Sequence, residues 1–175
     1  ELGIRLANSG VRGQHLRFTA PLVHLDHPRG YAYPAHKRAN RERLRHGLAL
    51  PTEPRWLDQV HGARVLDLDR EGGTTADGAV TARVATVCAV LTADCLPVLL
   101  CDRAGRRVGV AHAGWRGIAG GVLQAAVAAF GGPPAGLLAW LGPAISQAAY
   151  EVGDEVRAAF VERDAAARRH FLRNA

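Results

Sequence analysis

The sequence predicts a single α+β domain built on a mixed sheet. The chain has 175 residues, a length that suits one domain. Hydrophobic residues make up 48% and charged residues 22%, which is typical of a folded globular protein and excludes a disordered chain. Apolar segments of strand length occur among helical segments without strict alternation, a pattern that favours mixed rather than purely parallel sheet architecture.

The first third of the chain contains two short strand candidates and one helix candidate. Leu16–Thr19 and Leu22–Leu25 have the composition of short strands. Ala35–Leu48 is highly charged, with only a sparse apolar face. This pattern predicts a surface helix that ends at Gly47 or before Pro51.

From Trp56 onward the pattern changes to strands. Strands are predicted at Trp56–Val60, Arg64–Leu68, Ala79–Thr81, Thr86–Leu91, Pro97–Cys101, Val108–His112 and Leu137–Leu141. Gly105 indicates a hairpin turn between two of them. Ile118–Phe130 has apolar residues at helical spacing, and Asp154–Arg163 is predicted to be an amphipathic helix.

Charge and cysteine content limit the classes of function without selecting one. The net charge is +6 and Lys37 is the only lysine, so arginine supplies nearly all of the positive charge. This balance permits nucleic acid or an anionic substrate as a partner and establishes neither. Three cysteines form no closed disulfide framework, and free thiols suit a reducing compartment. No apolar run approaches the roughly 20 residues of a membrane span and no signal peptide is evident, so we expect a cytoplasmic protein without a membrane partner.

Three residues with metal-binding side chains follow or end predicted strands. His61 directly follows the predicted strand Trp56–Val60. Cys95 lies in the short link between the apolar runs Thr86–Leu91 and Pro97–Cys101, and His112 is the last residue of Val108–His112. Strand ends on one sheet edge converge in space, and two imidazoles with one thiolate are good zinc ligands that leave a fourth position open. Simple packing of each residue is the alternative interpretation.

A glycine-rich strand-to-helix transition follows His112. Gly114 and Gly117 allow close approach of an anion to main-chain N–H groups, and Arg116 adds a cation suited to phosphate. The alternative is that these glycines only permit tight helix–sheet packing. Gln59 and Asp94 flank the metal candidates and are predicted to contact substrate, with an exposed strand residue and a turn cap as the respective alternatives.

Five short motifs occur together in one order. They are Gln59-Val60-His61-Gly62, Thr92-Ala93-Asp94-Cys95-Leu96-Pro97-Val98, His112-Ala113-Gly114-Trp115-Arg116-Gly117, Leu141-Gly142-Pro143 and Tyr150-Glu151-Val152-Gly153. In this order and spacing they resemble the laccase-domain family, also called the multicopper polyphenol oxidoreductase or peptidoglycan editing factor family. The resemblance extends from about Trp56 to Phe160.

The resemblance implies a fold, a metal and an activity. The implied fold is an α/β/β/α-type sandwich with a mixed sheet. The implied cofactor is a zinc ion bound by His61, Cys95 and His112, with copper as the less favoured metal. The implied reactions are phosphorolysis of adenosine, inosine and methylthioadenosine and deamination of adenosine, so the implied partners are a purine nucleoside and phosphate. The family pattern continues past the motifs matched here, so we expect residues 1–175 to hold one laccase-like domain that is incomplete at its C-terminal end.

Three other functions remain open from the sequence. Copper-dependent oxidation of phenols is the older family assignment, but the other five of the eight histidines form no tight cluster. A metal-free cysteine hydrolase or amidase acting on peptidoglycan precursors would use Cys95 as nucleophile and His61 or His112 as base. A non-enzymatic nucleic-acid binder would use the arginines, but these are scattered along the chain and aromatic residues are only 6%. We therefore expect no nucleic-acid partner; the sequence does not fix the oligomeric state, for which a monomer is the default.

Overall fold

A computed structural model describes residues 34–172 of the chain. The helices in this part are α1 (Pro34–Gly47), α2 (Trp115–Gly120), α3 (Val122–Ala129) and α4 (Asp154–Val161). The strands are β1 (Val65–Asp67), β2 (Gly78–Thr81), β3 (Leu96–Asp102), β4 (Val108–Ala113) and β5 (Leu137–Leu141). Short 3-10 turns cover Pro134–Gly136, Gln147–Ala149 and Ala165–His170. The strand candidates at Leu16–Thr19 and Leu22–Leu25 lie outside the described residues.

The strands form one mixed sheet in the order β1-β2-β4-β3-β5. β1 runs parallel to β2, whereas β2 and β3 both run antiparallel to β4, and β5 runs antiparallel to β3. It follows that β1, β2 and β3 begin, and β4 and β5 end, on the same side of the sheet. This edge is formed by strand ends and not by an outermost strand. We refer to this as the site edge.

Each face of the sheet carries its own apolar cluster. On one face, strand residues such as Val80, Val98 and Ala111 pack against Val122 and Ala126 of α3. Their positions follow the two-residue alternation of a strand and the three-to-four-residue spacing of a helix. On the other face, Leu66 and Ala79 pack with loop residues in a second cluster. Because both faces are covered there, all four residues of the internal strand β2 are buried.

The mixed α+β class and most predicted elements are confirmed. Strands at Ala79–Thr81, Pro97–Cys101, Val108–His112 and Leu137–Leu141 are present with ends that move by at most one residue, Arg64–Leu68 contains the shorter β1, and helices occupy Ala35–Leu48 and Asp154–Arg163 with small changes at their ends. Gly105, with φ of 66°, lies in the β3–β4 turn as expected. The described residues supply one sheet of the sandwich that the family resemblance implies.

The strand predicted at Trp56–Val60 is wrong. Within the described residues this segment makes one isolated bridge, between Asp58 and Thr75. The main-chain N–H groups of residues 60–62 instead donate to the Asp77 carboxylate. A side chain therefore takes the hydrogen bonds that a neighbouring strand would otherwise accept.

The strand predicted at Thr86–Leu91 is also wrong. Cys88 forms a single isolated bridge with Arg55. The apolar side chains Cys88 and Val90 pack as a loop against the second cluster. The apolar composition of this segment reflects its burial, which periodicity alone does not distinguish from a strand.

The helix predicted at Ile118–Phe130 is two helices. Gly121 has φ of 96° and ends α2 in the left-handed conformation, and α3 begins at the next residue. Glycine adopts this conformation without the Cβ clash that other residues suffer, so it interrupts a sequence whose apolar spacing is helical throughout. No described helix has both the length and the apolar content needed to cross a bilayer.

At the opposite edge from the site, Asp69 ties β1 to the end of β2. Its carboxylate accepts hydrogen bonds from the Thr81 hydroxyl at 2.6 Å and from the Ala82 N–H at 2.7 Å. Burial acts most strongly and raises the pKa of Asp69, but these hydrogen bonds, with the charges of Arg83 and Arg107, together hold the pKa below its ordinary value.

We predict that Asp69→Asn lowers the free energy of unfolding at pH 7 and that this loss shrinks in acid. A carboxylate whose pKa is depressed by folding stabilises the native state above the unfolded-state pKa of about 3.9 and loses that effect as the pH falls through the folded pKa. Urea denaturation of wild type and variant from neutral pH to about pH 3 measures the difference. A difference that stays constant over this range would contradict the prediction.

Candidate metal centre and substrate cavity

The sheet topology brings the three predicted metal ligands together. β3 and β4 pair with Leu96 opposite Ala113, so Cys95, just before β3, lies beside the end of β4. His112 is in β4, and His61 is in the turn that leads into β1 at the same edge. The ligand atoms of His61, Cys95 and His112 all lie within 4.8 Å of one another, and they form the one such group found among residues 34–172.

The two imidazoles and the thiol lie close together. The Cys95 Sγ is 3.9 Å from the His61 Nε2. The rings of His61 and His112 meet edge to face, with centroids 4.7 Å apart and an interplanar angle of 77°. His112 is only 3% exposed, whereas His61 is exposed and Cys95 half-buried. The group is therefore anchored in the core on one side and open on the other.

Asp77 lies behind the group and contacts both histidines. Its Oδ1 is 2.8 Å from the His112 Nδ1, and the same oxygen accepts the His61 N–H at 2.9 Å. Its Oδ2 accepts the N–H groups of Gly62 at 2.7 Å and Val60 at 3.2 Å. Sequence reasoning does not separate a structural from a pocket-lining role for Asp77. The one available signal is an acidic residue placed directly before a strand that is buried throughout.

The pKa values of Asp77 and Cys95 are shifted in opposite directions. Burial is the largest influence on Asp77 and raises its pKa, but the hydrogen bonds from His112, Gly62, Val60 and His61 together bring it below its ordinary value. Burial also raises the pKa of the Cys95 thiol, and the negative charges of Asp94 and Asp77 raise it further. A cation bound beside Cys95 would reverse this effect, because it favours the thiolate.

Glycine is required where the backbone passes closest to the group. A Cβ on Gly114 would lie 2.9 Å from the Cys95 Sγ and 3.0 Å from the His61 Cδ2. A Cβ on Gly117 would lie 3.0 Å from the carbonyl oxygen of Gly62 and 3.5 Å from that of His112. Both glycines therefore allow the backbone to lie close to its neighbours at the site. Gly114 also lines the cavity in front of His61 and Cys95.

A cavity of about 1530 Å³ opens in front of His61 and Cys95. Asp94 and Arg116 line it near the metal group, and both are exposed. The Arg116 guanidinium lies over the Trp115 ring, 4.5 Å from its centroid. The far wall comes from α4, from the loop before it and from the turn after it, including Glu151, Phe160, Arg168 and Phe171. The cavity volume exceeds the roughly 300–1,000 Å³ of an ordinary small-molecule site.

The side-chain amide of Gln59 is hydrogen-bonded to the main chain of Leu91. Its amide nitrogen donates to the Leu91 carbonyl at 2.8 Å, and its amide oxygen accepts the Leu91 N–H at 2.7 Å. This pair of hydrogen bonds ties the turn that carries His61 to the segment that leads to Cys95. The substrate contact predicted for Gln59 remains a prediction, and in this structure its amide is engaged by the main chain. Cys101 is buried in β3, and Cys88 lies outside the site.

The donor set fits a zinc ion. Zinc prefers imidazole and thiolate ligands in a tetrahedral arrangement, and three protein ligands with one open position are typical of catalytic sites. Because the His112 Nδ1 contacts a buried carboxylate, its Nε2 is the atom available to a metal. Zinc-binding histidines usually donate their other ring N–H to a carboxylate or carbonyl group in this way. The same three donors also accept copper, so the donor chemistry alone does not fix the metal.

Comparison with known proteins agrees with the fold. The family model described as multi-copper polyphenol oxidoreductase laccase matches residues 32–175. Purine nucleoside phosphorylase YfiH of Escherichia coli K12 is 51% identical over 143 residues, which cover 81% of this chain and 59% of that protein. Purine nucleoside phosphorylase PA4543 of Pseudomonas aeruginosa is 52% identical over 136 residues, covering 78% of this chain and 55% of the relative.

Solved structures of related proteins have a similar fold. The Neisseria meningitidis protein NMB0706, assigned to DUF152, superposes with a TM-score of 0.75 at 45% identity and covers 83% of this chain and 62% of its own. YlmD from Geobacillus stearothermophilus superposes with a TM-score of 0.59 at 31% identity, covering 69% of this chain and 50% of its own. The chain thus spans about half to three fifths of the length of these relatives. It belongs to the multi-copper polyphenol oxidoreductase laccase family.

Proposed function

We propose that this chain carries the metal centre of a zinc-dependent purine nucleoside phosphorylase. The observation that carries the proposal is the convergence of His61, Cys95 and His112 at the opening of a cavity large enough for a nucleoside and phosphate. The names of the relatives at about 50% identity support the activity. Adenosine, inosine and methylthioadenosine are the proposed substrates, and deamination of adenosine is a proposed second reaction because three protein ligands leave a metal position open.

His61, Cys95 and His112 would hold the metal. A zinc ion bound by them would supply Lewis acidity at the opening of the cavity. The Asp77 carboxylate keeps His112 turned so that its Nε2 faces away from the carboxylate. Gly114 keeps the wall beside Cys95 and His61 free of a side chain, which leaves room for the substrate to approach.

Arg116 is the proposed phosphate-binding residue. In phosphorolysis a phosphate oxygen forms a bond to the anomeric carbon of the ribose while the bond from that carbon to the purine nitrogen breaks, and the base leaves with the electron pair. The guanidinium of Arg116 presents a planar set of donors that matches phosphate, and its stacking on Trp115 limits the orientations it samples. Because α2 has only six residues, we assign phosphate binding to this side chain rather than to the helix N-terminus.

Asp94 is the proposed polar contact for the nucleoside. It lies next to Cys95 and lines the cavity, and its main-chain carbonyl accepts the Ile145 N–H at 3.0 Å. That hydrogen bond fixes the backbone at this point and leaves the carboxylate available to accept hydrogen bonds from substrate hydroxyl or amino groups.

The structure disfavours Cys95 as a free nucleophile. A reactive cysteine needs a lowered pKa, whereas burial and the charges of Asp94 and Asp77 raise the pKa of Cys95. Metal binding accounts for a buried thiol between two histidines without this difficulty. Multicopper oxidase chemistry would need further histidine clusters, and the described residues contain one metal-binding group.

The proposal predicts phosphate-dependent release of free base from adenosine and inosine by protein with about one zinc per chain. Cys95→Ala is expected to remove both metal and turnover, because two histidines alone bind zinc weakly. Cys101→Ala is the matched control: it removes a thiol from β3 outside the site and should keep both. Elemental analysis and a base-release assay on the same preparations measure the two effects.

Three results would contradict this prediction. Full zinc occupancy in Cys95→Ala would show that the metal is bound elsewhere. Turnover that survives metal removal and is abolished by thiol alkylation would return the function to a metal-free cysteine hydrolase. Oxygen uptake with a phenol, together with copper in the purified protein, would instead support the oxidase assignment.

We also predict that Arg116→Ala raises the KM for phosphate by about 10- to 100-fold, since hydrogen bonds to charged groups contribute roughly 1.5–3 kcal/mol. Zinc content should stay at the wild-type level, because Arg116 is not among the metal-binding residues. Arg103→Ala is the charge-matched control: Arg103 is exposed in the β3–β4 turn, at the sheet edge opposite the site. If both variants changed the phosphate KM equally, the role assigned to Arg116 would be wrong.

A further inference from the structure

The Asp77 carboxylate is completely buried and accepts four hydrogen bonds. Each oxygen accepts two: Oδ1 from the His61 N–H and the His112 Nδ1, and Oδ2 from the N–H groups of Gly62 and Val60. A carboxylate offers about four lone-pair sites, so its accepting capacity is filled. Three of the four donors are main-chain N–H groups that have no other protonation state. An ionised carboxylate has no hydrogen to donate, so the His112 nitrogen that faces it carries the hydrogen.

His61 has an unusual backbone conformation that depends on the same carboxylate. Its φ is 58°, in the left-handed region, which is unfavourable for a residue with a Cβ. Consecutive N–H groups before, at and after His61 all point to Asp77. This left-handed turn directs the His61 ring toward Cys95 and against the ring of His112.

We propose that Asp77 is a positioning residue that sets both histidine ligands at once. It holds the His112 ring with its hydrogen on Nδ1, so that the Nε2 lone pair is available to a metal. It also holds the main chain of His61 in the left-handed turn. The inference rests on the proposed function in one respect, namely that the two histidines bind the metal.

The asparagine variant separates this role from simple space filling, because an amide has the shape of a carboxylate and only one accepting oxygen. If the amide oxygen takes the Oδ1 position, its NH₂ group faces the N–H groups of Val60 and Gly62, and the His61 turn is lost. If the oxygen takes the Oδ2 position, the NH₂ group faces His112 and forces Nδ1 to become the acceptor. The ring hydrogen then moves to Nε2 and removes the lone pair needed for the metal. Either orientation weakens the binding of one histidine ligand to the metal.

The test is zinc affinity, measured by competition with a chromophoric chelator. We expect Asp77→Asn to bind zinc about 10- to 100-fold more weakly than wild type, the range found when an outer carboxylate of a metal-bound histidine is removed. Asp69→Asn is the control, because it removes a carboxylate that accepts a hydroxyl and a main-chain N–H but lies at the other edge of the sheet. It should lower stability without lowering zinc affinity. Equal zinc affinity in Asp77→Asn and wild type would overturn the inference and leave the phosphorylase proposal intact.

A second measurement needs no variant and does not depend on the folding of Asp77→Asn. Long-range ¹H–¹⁵N correlation spectra of the metal-free wild-type protein report which ring nitrogen of each histidine carries the hydrogen. The inference predicts the Nδ1–H form for neutral His112. Neutral His112 with its hydrogen on Nε2 would overturn it. This result is independent of turnover, so a failed phosphorylase assay and a failed positioning role are distinguishable.

Discussion

The buried carboxylate of Asp77 connects the elements that carry the two histidines of the site. An unpaired charge in this position would be strongly destabilising, because the surrounding protein cannot replace the water that it loses. Here the charge is compensated by three main-chain N–H groups and one imidazole. The main chain adds a further link, since the His112 N–H donates to the Asp77 carbonyl at 2.7 Å. The start of β2, the end of β4 and the turn before β1 are thus joined at one residue.

The register of β3 against β4 places Cys95, the third proposed ligand. The antiparallel pairing of β3 with β4 places Cys95 beside the end of β4, independently of Asp77. Gly114 then decides how closely the ligands approach, because any side chain there would collide with Cys95 and His61. The double hydrogen bond of Gln59 to Leu91 links the His61 turn to the segment before Cys95. The site is compact because loops and strands that are distant in sequence are fixed to one another by main-chain contacts.

The sequence predicts the ligands better than it predicts the loops that hold them. His61, Cys95 and His112 are recognisable because metal-binding side chains recur at the ends of apolar runs, and strand ends share an edge. Trp56–Val60 and Thr86–Leu91 have the composition of strands, yet their hydrogen bonds go to side chains and to isolated bridges. Such pairings depend on residues that lie 15 or more positions away, as Gly62 and Asp77 do. Local pattern does not encode them, which is why neither the role of Asp77 nor the Leu91 contact of Gln59 follows from the sequence.

The family description and the site chemistry emphasise different metals. The family model names copper and polyphenols, while the named relatives are purine nucleoside phosphorylases. A single group of two histidines and one cysteine, open toward a large cavity, matches hydrolytic and phosphorolytic zinc chemistry better than electron transfer between several copper ions. In the proposed function, the cavity would hold the nucleoside and Arg116 would bind phosphate.

Anomalous diffraction at the zinc absorption edge, on crystals of the zinc-loaded protein, tests the central claim most directly. We expect one strong peak at about 2.0–2.3 Å from a His61 nitrogen, the Cys95 sulfur and the His112 Nε2, with no fourth protein ligand. The Asp77 carboxylate should remain on the His112 Nδ1, outside the metal's first coordination sphere. A peak bound through the His112 Nδ1, a fourth protein ligand that closes the site, or zinc located away from these three residues would contradict the account.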